Sequence, residues 1–325
     1  MKKLGFISSI MLSAALLTFT GCSDDDDNNT NQEPQTIAMI AMDNADFSIL
    51  ASALERAGLT ATLNGSGQFT VFAPTNAAFN SFLSANGFAN IDAVPVNVLR
   101  EVLLNHVISG EVMSGALTTG YVKTLGKGSA SASNTLSMFI NTASGVTING
   151  GVANGGATVT TANIDAENGV IHVVNGVIGL PTVVNHAIAN PNFTNLVSAL
   201  TRDDQPDFAG ILSGTGPFTV FAPTNAAFGS LLSELSLQGL ADVPQAVLEN
   251  TLKYHVVAGA NVLSTNLSNN MTVETFQGQS FSVQLMGSSA QITDANNRIS
   301  MISATDVQAA NGVIHVVDKV LLPAL

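Results

Sequence analysis

The sequence predicts an α+β fold that occurs twice along the chain. Three segments recur in the same order in its two halves: residues 69–79 and 218–228, 106–107 and 255–256, and 168–174 and 311–317. The first two pairs are separated by 149 positions and the third by 143. Such spacings are far longer than a solenoid unit, so each copy is a whole domain. In each copy helical periodicity precedes strand patterns, which favours α+β over alternating βαβ units.

The first copy opens with a helical pattern, because Phe47, Leu50 and Leu54 fall on one face. Asp46 is expected to cap this helix and Gly58 to end it. The same apolar face opens the second copy as Phe193, Leu196 and Leu200.

A strand and a short helix are expected next. Residues 68–73 are rich in β-branched and aromatic side chains, which predicts a strand that Pro74 ends. Thr75 is placed to cap a short helix that carries Ala78 and Phe79.

A further helix and a set of strands complete the copy. Pro95 suits the first turn of a helix, and its inner face is formed by Leu99, Val102, Leu103 and His106. Residues 110–164 alternate short Val, Ile and Thr runs with Gly, Asn and Ser, which predicts meandering strands. Asn168-Gly169 is a tight-turn pair that leads into a strand over 170–174.

Composition excludes several classes of protein. The 325 residues include 10 Lys and Arg against 23 Asp and Glu, a formal net charge of −13, so the chain lacks the basic surface of a nucleic-acid binder. A hydrophobic fraction of 46% excludes a mainly disordered chain. The single cysteine excludes a disulfide scaffold and any Cys-rich metal site, and no motif calls for a cofactor.

The N-terminus has the pattern of an export signal. Lys2 and Lys3 precede an apolar run over 4–17 that is short for a membrane span, so residues 1–21 are expected to be a signal peptide. Cys22, directly after Thr20-Gly21, resembles the cysteine of a bacterial lipobox. That resemblance implies a lipidated mature N-terminus, and the alternative is a plain signal peptide with a stray thiol.

Polar residues follow the predicted lipid site, in the order Ser23, Asp24, Asp25, Asp26 and Asp27. Such a run is often only a solvated tail. After a lipidated cysteine it resembles the signal that sends lipoproteins of Bacteroidetes-type bacteria to the outer face of the outer membrane. Residues 22–35 are then a lipidated, disordered tether, and the domains span 36–181 and 182–325. The alternative is a lipoprotein that faces the periplasm.

The repeated segments resemble the fasciclin-type domain. The motif residues of the first copy are Phe72, Pro74, Thr75, Phe79, His106 and His172. Those of the second copy are Phe221, Pro223, Thr224, Phe228, His255 and His315. The resemblance implies two tandem domains, each a β-wedge or sandwich flanked by helices, and a role in adhesion outside cells. It also implies possible partner binding at the Tyr254-His255 pair, whose tyrosine is replaced by Asn105 in the first copy.

Most of the motif residues are expected to be structural. His172 and His315 lie mid-strand, where a buried imidazole bonded to a backbone group is the simplest interpretation. A calcium loop at Asp203, Asp204 and Asp207 is disfavoured because the usual ligand spacing is absent, and the five histidines have no metal-ligand spacing.

The sequence therefore predicts a non-enzymatic surface adhesion or protein-interaction lipoprotein. Its expected partner is an extracellular protein, matrix or glycan surface, and its membrane contact is expected to be through the N-terminal lipid only. The alternative is a surface lipoprotein that binds a glycan or another small ligand.

Overall fold

The computed structural model describes residues 35–287 and 289–324. The predicted signal peptide, the lipid site at Cys22 and the acidic run Ser23 to Asp27 lie outside these residues. The described residues form one compact unit that contains both copies.

The elements of the two copies correspond one to one along the chain. The first copy contains α1 (Ile37–Asp43), α2 (Ser48–Arg56), α3 (Thr60–Leu63), β1 (Phe69–Pro74), α4 (Asn76–Ala85), α5 (Val96–Leu104), β2 (Val107–Ser109), β3 (Gly120–Lys127), β4 (Thr135–Asn141), β5 (Thr147–Ile148), β6 (Ala157–Ala166) and β7 (Gly169–Val174). The second contains α6 (Val183–Ala189), α7 (Thr194–Leu200), α8 (Phe208–Leu212), β8 (Phe218–Pro223), α9 (Asn225–Glu234), α10 (Gln245–Tyr254), β9 (Val256–Ala258), β10 (Met271–Glu274), β11 (Ser280–Met286), β12 (Ser289–Thr293), β13 (Ile299–Ala309) and β14 (Gly312–Val317).

Each copy folds its strands into a seven-stranded sheet with the same order. The first sheet runs β2-β1-β7-β6-β5-β4-β3, and the second, read in the same direction, runs β9-β8-β14-β13-β12-β11-β10. The repeated motif strands are neighbours: β1 pairs with β7, and β8 with β14, both in parallel. The α+β prediction is confirmed, with a long-range parallel pair beside one edge strand of each sheet.

The motif strand separates two apolar layers in each copy. Val71 and Ala73 face the helices, whereas Phe72 between them faces the interior of the wedge with Met138 and Ile140. This division follows from the period-2 alternation of a strand. The second copy repeats it, with Phe221 in the wedge cluster and its two neighbours in the helical cluster.

The predicted helix ends are partly right. The Thr75 side chain accepts from the Ala78 amide and caps α4, and Gly58 lies beyond α2 with a φ of 66°, the left-handed conformation of a helix stop. The cap assigned to Asp46 is wrong. A 3-10 turn precedes α2, and the Asn44 side chain accepts from the Asp46 amide at 2.9 Å.

The two copies also contact each other. The Tyr121 ring of the first copy packs edge-on against His186 of the second, with ring centroids 5.5 Å apart. Lys123 Nζ donates to the Asp306 carbonyl at 2.7 Å, and the Gln308 amide donates to Ser137 Oγ at 3.0 Å. The apolar clusters of the two copies remain separate, with Tyr121 lying against the helical cluster of the second.

In residues 35–287 and 289–324, no single helix is long and apolar enough to cross a membrane. One sharply bent pair of helical segments, Ile37–Asp43 and Ala45–Arg56, is long and apolar enough only when the two segments are counted together.

Candidate functional site

The motif strands bring a phenylalanine and a histidine together in each copy. Phe72 is paired in register with His172, and their rings lie 5.6 Å apart. Phe221 and His315 repeat the arrangement at 5.4 Å. All four side chains are fully buried, so these motif residues lie in the interior of each wedge.

The strand histidines bond to the main chain. His172 Nε2 lies 3.0 Å from the Val112 carbonyl, and His315 Nε2 lies 2.8 Å from the Val262 carbonyl. His172 Nδ1 accepts from the Asn163 amide, so its Nε2 carries the hydrogen and donates. Burial lowers the pKa of both imidazoles, which keeps them neutral.

The second histidine motif ties a helix end to the chain that leaves the sheet. His106 Nε2 accepts from the Ile178 amide at 2.8 Å, so its Nδ1 carries the hydrogen and donates to the Val102 carbonyl at 2.7 Å. Burial lowers the pKa of His106 to about 4. The imidazole thus connects the end of α5 to the segment after β7.

His255 makes the same connection in the second copy. Its Nε2 accepts from the Leu321 amide at 2.9 Å, and its Nδ1 donates to the Thr251 carbonyl at 2.7 Å. Burial lowers its pKa to about 4 as well.

The side chains of Tyr254 and the corresponding Asn105 form hydrogen bonds within their own domains. The Tyr254 hydroxyl donates to the Ser280 carbonyl at 2.9 Å and accepts from the Ala295 amide at 3.1 Å. Asn105 donates from Nδ2 to the Gly179 carbonyl and accepts from Thr124 Oγ1. Each side chain therefore links its helix end to a neighbouring segment of the same copy.

The expected partner contact at Tyr254 and His255 does not fit the folded domain. Tyr254 is 0% exposed and His255 is 3% exposed, so neither side chain is available at the surface. Sequence reasoning placed an amphipathic tyrosine at a helix end, where it was free to face outward. The structure turns it inward, where both hydrogen-bonding functions of its hydroxyl are used.

The remaining motif residues end strands and begin helices. Pro74 and Pro223 end β1 and β8. The Thr224 side chain accepts from the Ala227 amide at 3.2 Å, as Thr75 does at the corresponding position of the first copy. Phe79 and Phe228 lie in the helical clusters and are buried.

Asn168 has a role that sequence reasoning missed. The sequence predicts only half of a turn here, whereas in the structure its Oδ1 accepts from the Ile37 amide and its Nδ2 donates to the Leu63 and Gly65 carbonyls. Asn311 makes the corresponding three bonds in the second copy. The identical recurrence of the residue was a signal, but it did not specify such distant partners.

The acidic loop of the second copy is engaged locally. Asp204 pairs with Arg202 at 2.6 Å, and Asp207 accepts from the Gly210 amide at the start of α8. Within the described ranges, no group of three or more His, Cys, Asp or Glu side chains is arranged to hold a metal ion.

The four motif imidazoles share one chemical property. Every hydrogen bond that the structure gives them joins the ring to a main-chain atom. In a Ser-His-Asp triad the histidine instead bonds a nucleophile through one nitrogen and an orienting carboxylate through the other. The arrangement joins backbone segments of each copy to one another.

The duplicated architecture defines the class of protein. A family model described as the Fasciclin domain matches residues 45–181 and 191–323. The chain therefore belongs to the fasciclin domain family and contains two such domains in tandem.

Relatives with this domain occur in several organisms. Human periostin is 30% identical over 268 residues, which cover 80% of this chain and 29% of periostin. The pig transforming growth factor-beta-induced protein ig-h3 is 29% identical, with coverages of 80% and 35%. The chain thus spans about a third of the length of these two relatives. An uncharacterized Synechocystis protein is 33% identical over 44% of this chain and 98% of its own length.

A solved structure shows the same paired arrangement. It is a FAS1 domain pair from the insect cell adhesion molecule fasciclin I, with a TM-score of 0.50 and 22% identity. The match covers 87% of this chain and 94% of that one. This similarity establishes the fold of the tandem pair.

Proposed function

We propose that this chain is a non-enzymatic adhesion or protein-interaction protein, held on the outer face of a bacterial outer membrane by a lipid on Cys22. The observation that carries the proposal is the tandem pair of fasciclin domains, an arrangement shared with an insect cell adhesion molecule. The interior placement of the motif side chains supports it, because those residues hold each domain together and leave the loops to bind.

The proposed anchor comes from the sequence. Residues 1–21 direct export, Cys22 carries the lipid, and the acidic run after it directs the protein outward. Two or more acyl chains make such an anchor durable, since each buried methylene contributes about 0.8 kcal/mol. The tether then separates two domains, proposed at 36–181 and 182–325, from the membrane.

The contacts between the copies support joint presentation of their surfaces. Backbone bonds such as Ala130 to the Ala310 carbonyl at 2.9 Å accompany the Tyr121, Lys123 and Ser137 contacts. A partner that touches both domains then meets a preformed surface and orders less of it on binding. The proposed partner is an extracellular protein, matrix component or glycan surface.

Adhesion is tested with the chain from residue 23 onward, immobilised without its lipid. Cell attachment and binding to arrays of matrix proteins and glycans are measured, with albumin as the control coat. We expect saturable attachment and saturable binding to at least one arrayed component. The absence of saturable binding to cells and to every arrayed component would overturn the proposal.

A further inference from the structure

A cleft of about 590 Å³ opens in the first copy between α4, α5 and the segment that follows β7. Its walls are mainly apolar: Phe82, Val98, Val102, Val152, Val177 and Leu180. Val152 is 54% exposed and Val98 is 38% exposed, so apolar surface continues to the mouth of the cleft. Ser81, Asn86 and Asn175 add polar groups, and none of its lining residues is charged.

Glycines form part of the floor of this cleft. The Gly179 amide donates to the Gly155 carbonyl at 2.9 Å, which joins the segment after β7 to the turn that carries Val152. A Cβ atom on Gly176 would lie 2.8 Å from the Gly156 carbonyl oxygen and 2.9 Å from a Val152 methyl. The close approach of these two segments therefore requires glycine at position 176, and it leaves backbone exposed to the cavity.

The corresponding place in the second copy carries larger side chains and an ion pair. Glu234 stands where the first copy has Ala85, and its Oε2 accepts from Arg298 Nη2 at 2.8 Å. Arg298 Nη1 also donates to the Val320 carbonyl at 2.9 Å. Leu322, which stands where the first copy has Gly179, packs against the helical cluster. Two small residues at the cleft of the first copy, Ala85 and Gly179, are therefore replaced by larger ones in the second.

We propose that this cleft binds one small, uncharged and mainly apolar molecule. Its volume lies within the roughly 300–1,000 Å³ of small-molecule sites. A charged ligand would lose hydration without gaining an opposite charge, because the lining is uncharged. Anions are further disfavoured by the net charge of −13. A protein partner usually buries about 800 Å² of surface on each side. A cleft of about 590 Å³ instead matches the size of one small molecule. This binding goes beyond the adhesion proposed above.

The neutral fluorophore N-phenyl-1-naphthylamine serves as the probe, titrated into the chain from residue 23 onward. The chain has no tryptophan, so its own fluorescence contributes little. We expect an emission increase that saturates at one probe per chain. The anionic relative 1-anilinonaphthalene-8-sulfonate is expected to bind at least fivefold more weakly.

Two substitutions test the location of the probe. Gly179→Leu introduces the residue of the second copy, and its Cβ lies at an ordinary 3.5 Å from the Gly155 carbonyl oxygen. Val98→Asp places a carboxylate at the rim, in the first turn of α5, where a negative charge favours the helix. Each is expected to raise the probe's Kd at least tenfold. The matched control Val247→Asp, at the corresponding position of the second copy, is expected to leave the Kd unchanged.

Circular dichroism melts establish that each variant is folded. The absence of saturable probe binding, or tight binding retained by either first-copy variant, would overturn the proposed site. An equal loss in Val247→Asp would also overturn it. Equal affinity for the anionic relative would contradict the proposed ligand class.

Discussion

His106 and His255 occupy the same kind of position in the two copies, each receiving a backbone amide on Nε2 and donating to a helix carbonyl from Nδ1. An imidazole suits this task because its neutral form has one acceptor and one donor on opposite sides of the ring. Protonation would remove the acceptor and place a charge in the interior. Both histidines are therefore expected to stabilise the fold only while they are neutral.

The fifth buried histidine offers a further test of this pH dependence. His186 is fully buried at the contact between the copies, where its ring faces the Gln308 main chain and the Tyr121 ring. Burial lowers its pKa to about 4, against a backbone hydrogen bond with Gln308 that raises it, and the nearby Lys123 ammonium lowers it further. The unfolded chain binds a proton near pH 6.5 and the folded chain only near 4. Its contribution to stability is therefore complete above pH 6.5 and lost as the pH falls toward 4.

The substitution His186→Phe is expected to reduce the loss of stability between pH 7 and pH 4 by about 3 kcal/mol. Phenylalanine retains a ring against Tyr121 but binds no proton. Urea unfolding of both proteins, followed by circular dichroism at a series of pH values, measures the difference. Identical pH dependence of the two unfolding free energies would contradict the expectation.

The burial of individual side chains was predicted from the sequence better than their hydrogen-bond partners were. The burial of His172 and His315 followed from strand alternation, because each histidine shares its strand face with two valines. The inward turn of Tyr254 did not follow, since its hydroxyl partners at Ser280 and Ala295 are distant in sequence. The bonds of Asn168 were missed for the same reason.

The repeated motif strand is the element on which each copy is built. It pairs in parallel with the last strand of its copy and separates the helical layer from the wedge interior. Its existence and its end at proline were predictable from β-branched content and the restriction that proline imposes. Its partner strand lies about 100 positions away, so the parallel pairing was not predictable from local pattern.

Phe72→Ala and Phe221→Ala are each expected to cost about 3–5 kcal/mol of domain stability, because each removes a fully buried ring from a wedge interior. The matched control is Phe276→Ala, since Phe276 is 47% exposed, and its effect is expected to stay within about 0.5 kcal/mol. Urea unfolding measures all three. A loss below 1 kcal/mol for the first two variants would contradict the core role of these rings.

The sequence predicted the elements of the helical layer with mixed success. Thr75 was identified as a cap because a side-chain acceptor preceded an apolar helical pattern. Asp46 was misassigned because the 3-10 turn before α2 moves the capping role to Asn44. Several side chains near a helix start can accept a backbone amide, and tertiary packing decides which of them does.

The whole molecule combines two separately packed domains that also contact each other. The duplication was evident from the sequence, but the contact was not, because much of it joins single side chains to main-chain atoms. Lys123 donates to the Asp306 carbonyl, for example, and Ser129 Oγ to the Ala310 carbonyl. Bonds to carbonyl oxygens have no sequence signature, since every residue carries one.

Tyr121→Ala is expected to loosen the second copy although the substitution lies in the first. The ring packs against His186 and the helical cluster beyond it. Hydrogen exchange read by mass spectrometry should show faster exchange in α6 and unchanged exchange in α1. Tyr121→Phe retains the ring and is expected to leave both unchanged. Unaltered exchange in α6, or an equal rise in α1, would contradict a stabilising role for this contact.

The adhesion proposal depends most directly on outward display. Intact bacteria that carry the chain are treated with proteinase K, beside cells whose outer membrane has been permeabilised and cells that carry Cys22→Ser. We predict that the protease removes the domains from intact cells and that Cys22→Ser abolishes their membrane association. A chain that resists the protease on intact cells, and is degraded only after permeabilisation, would contradict surface display.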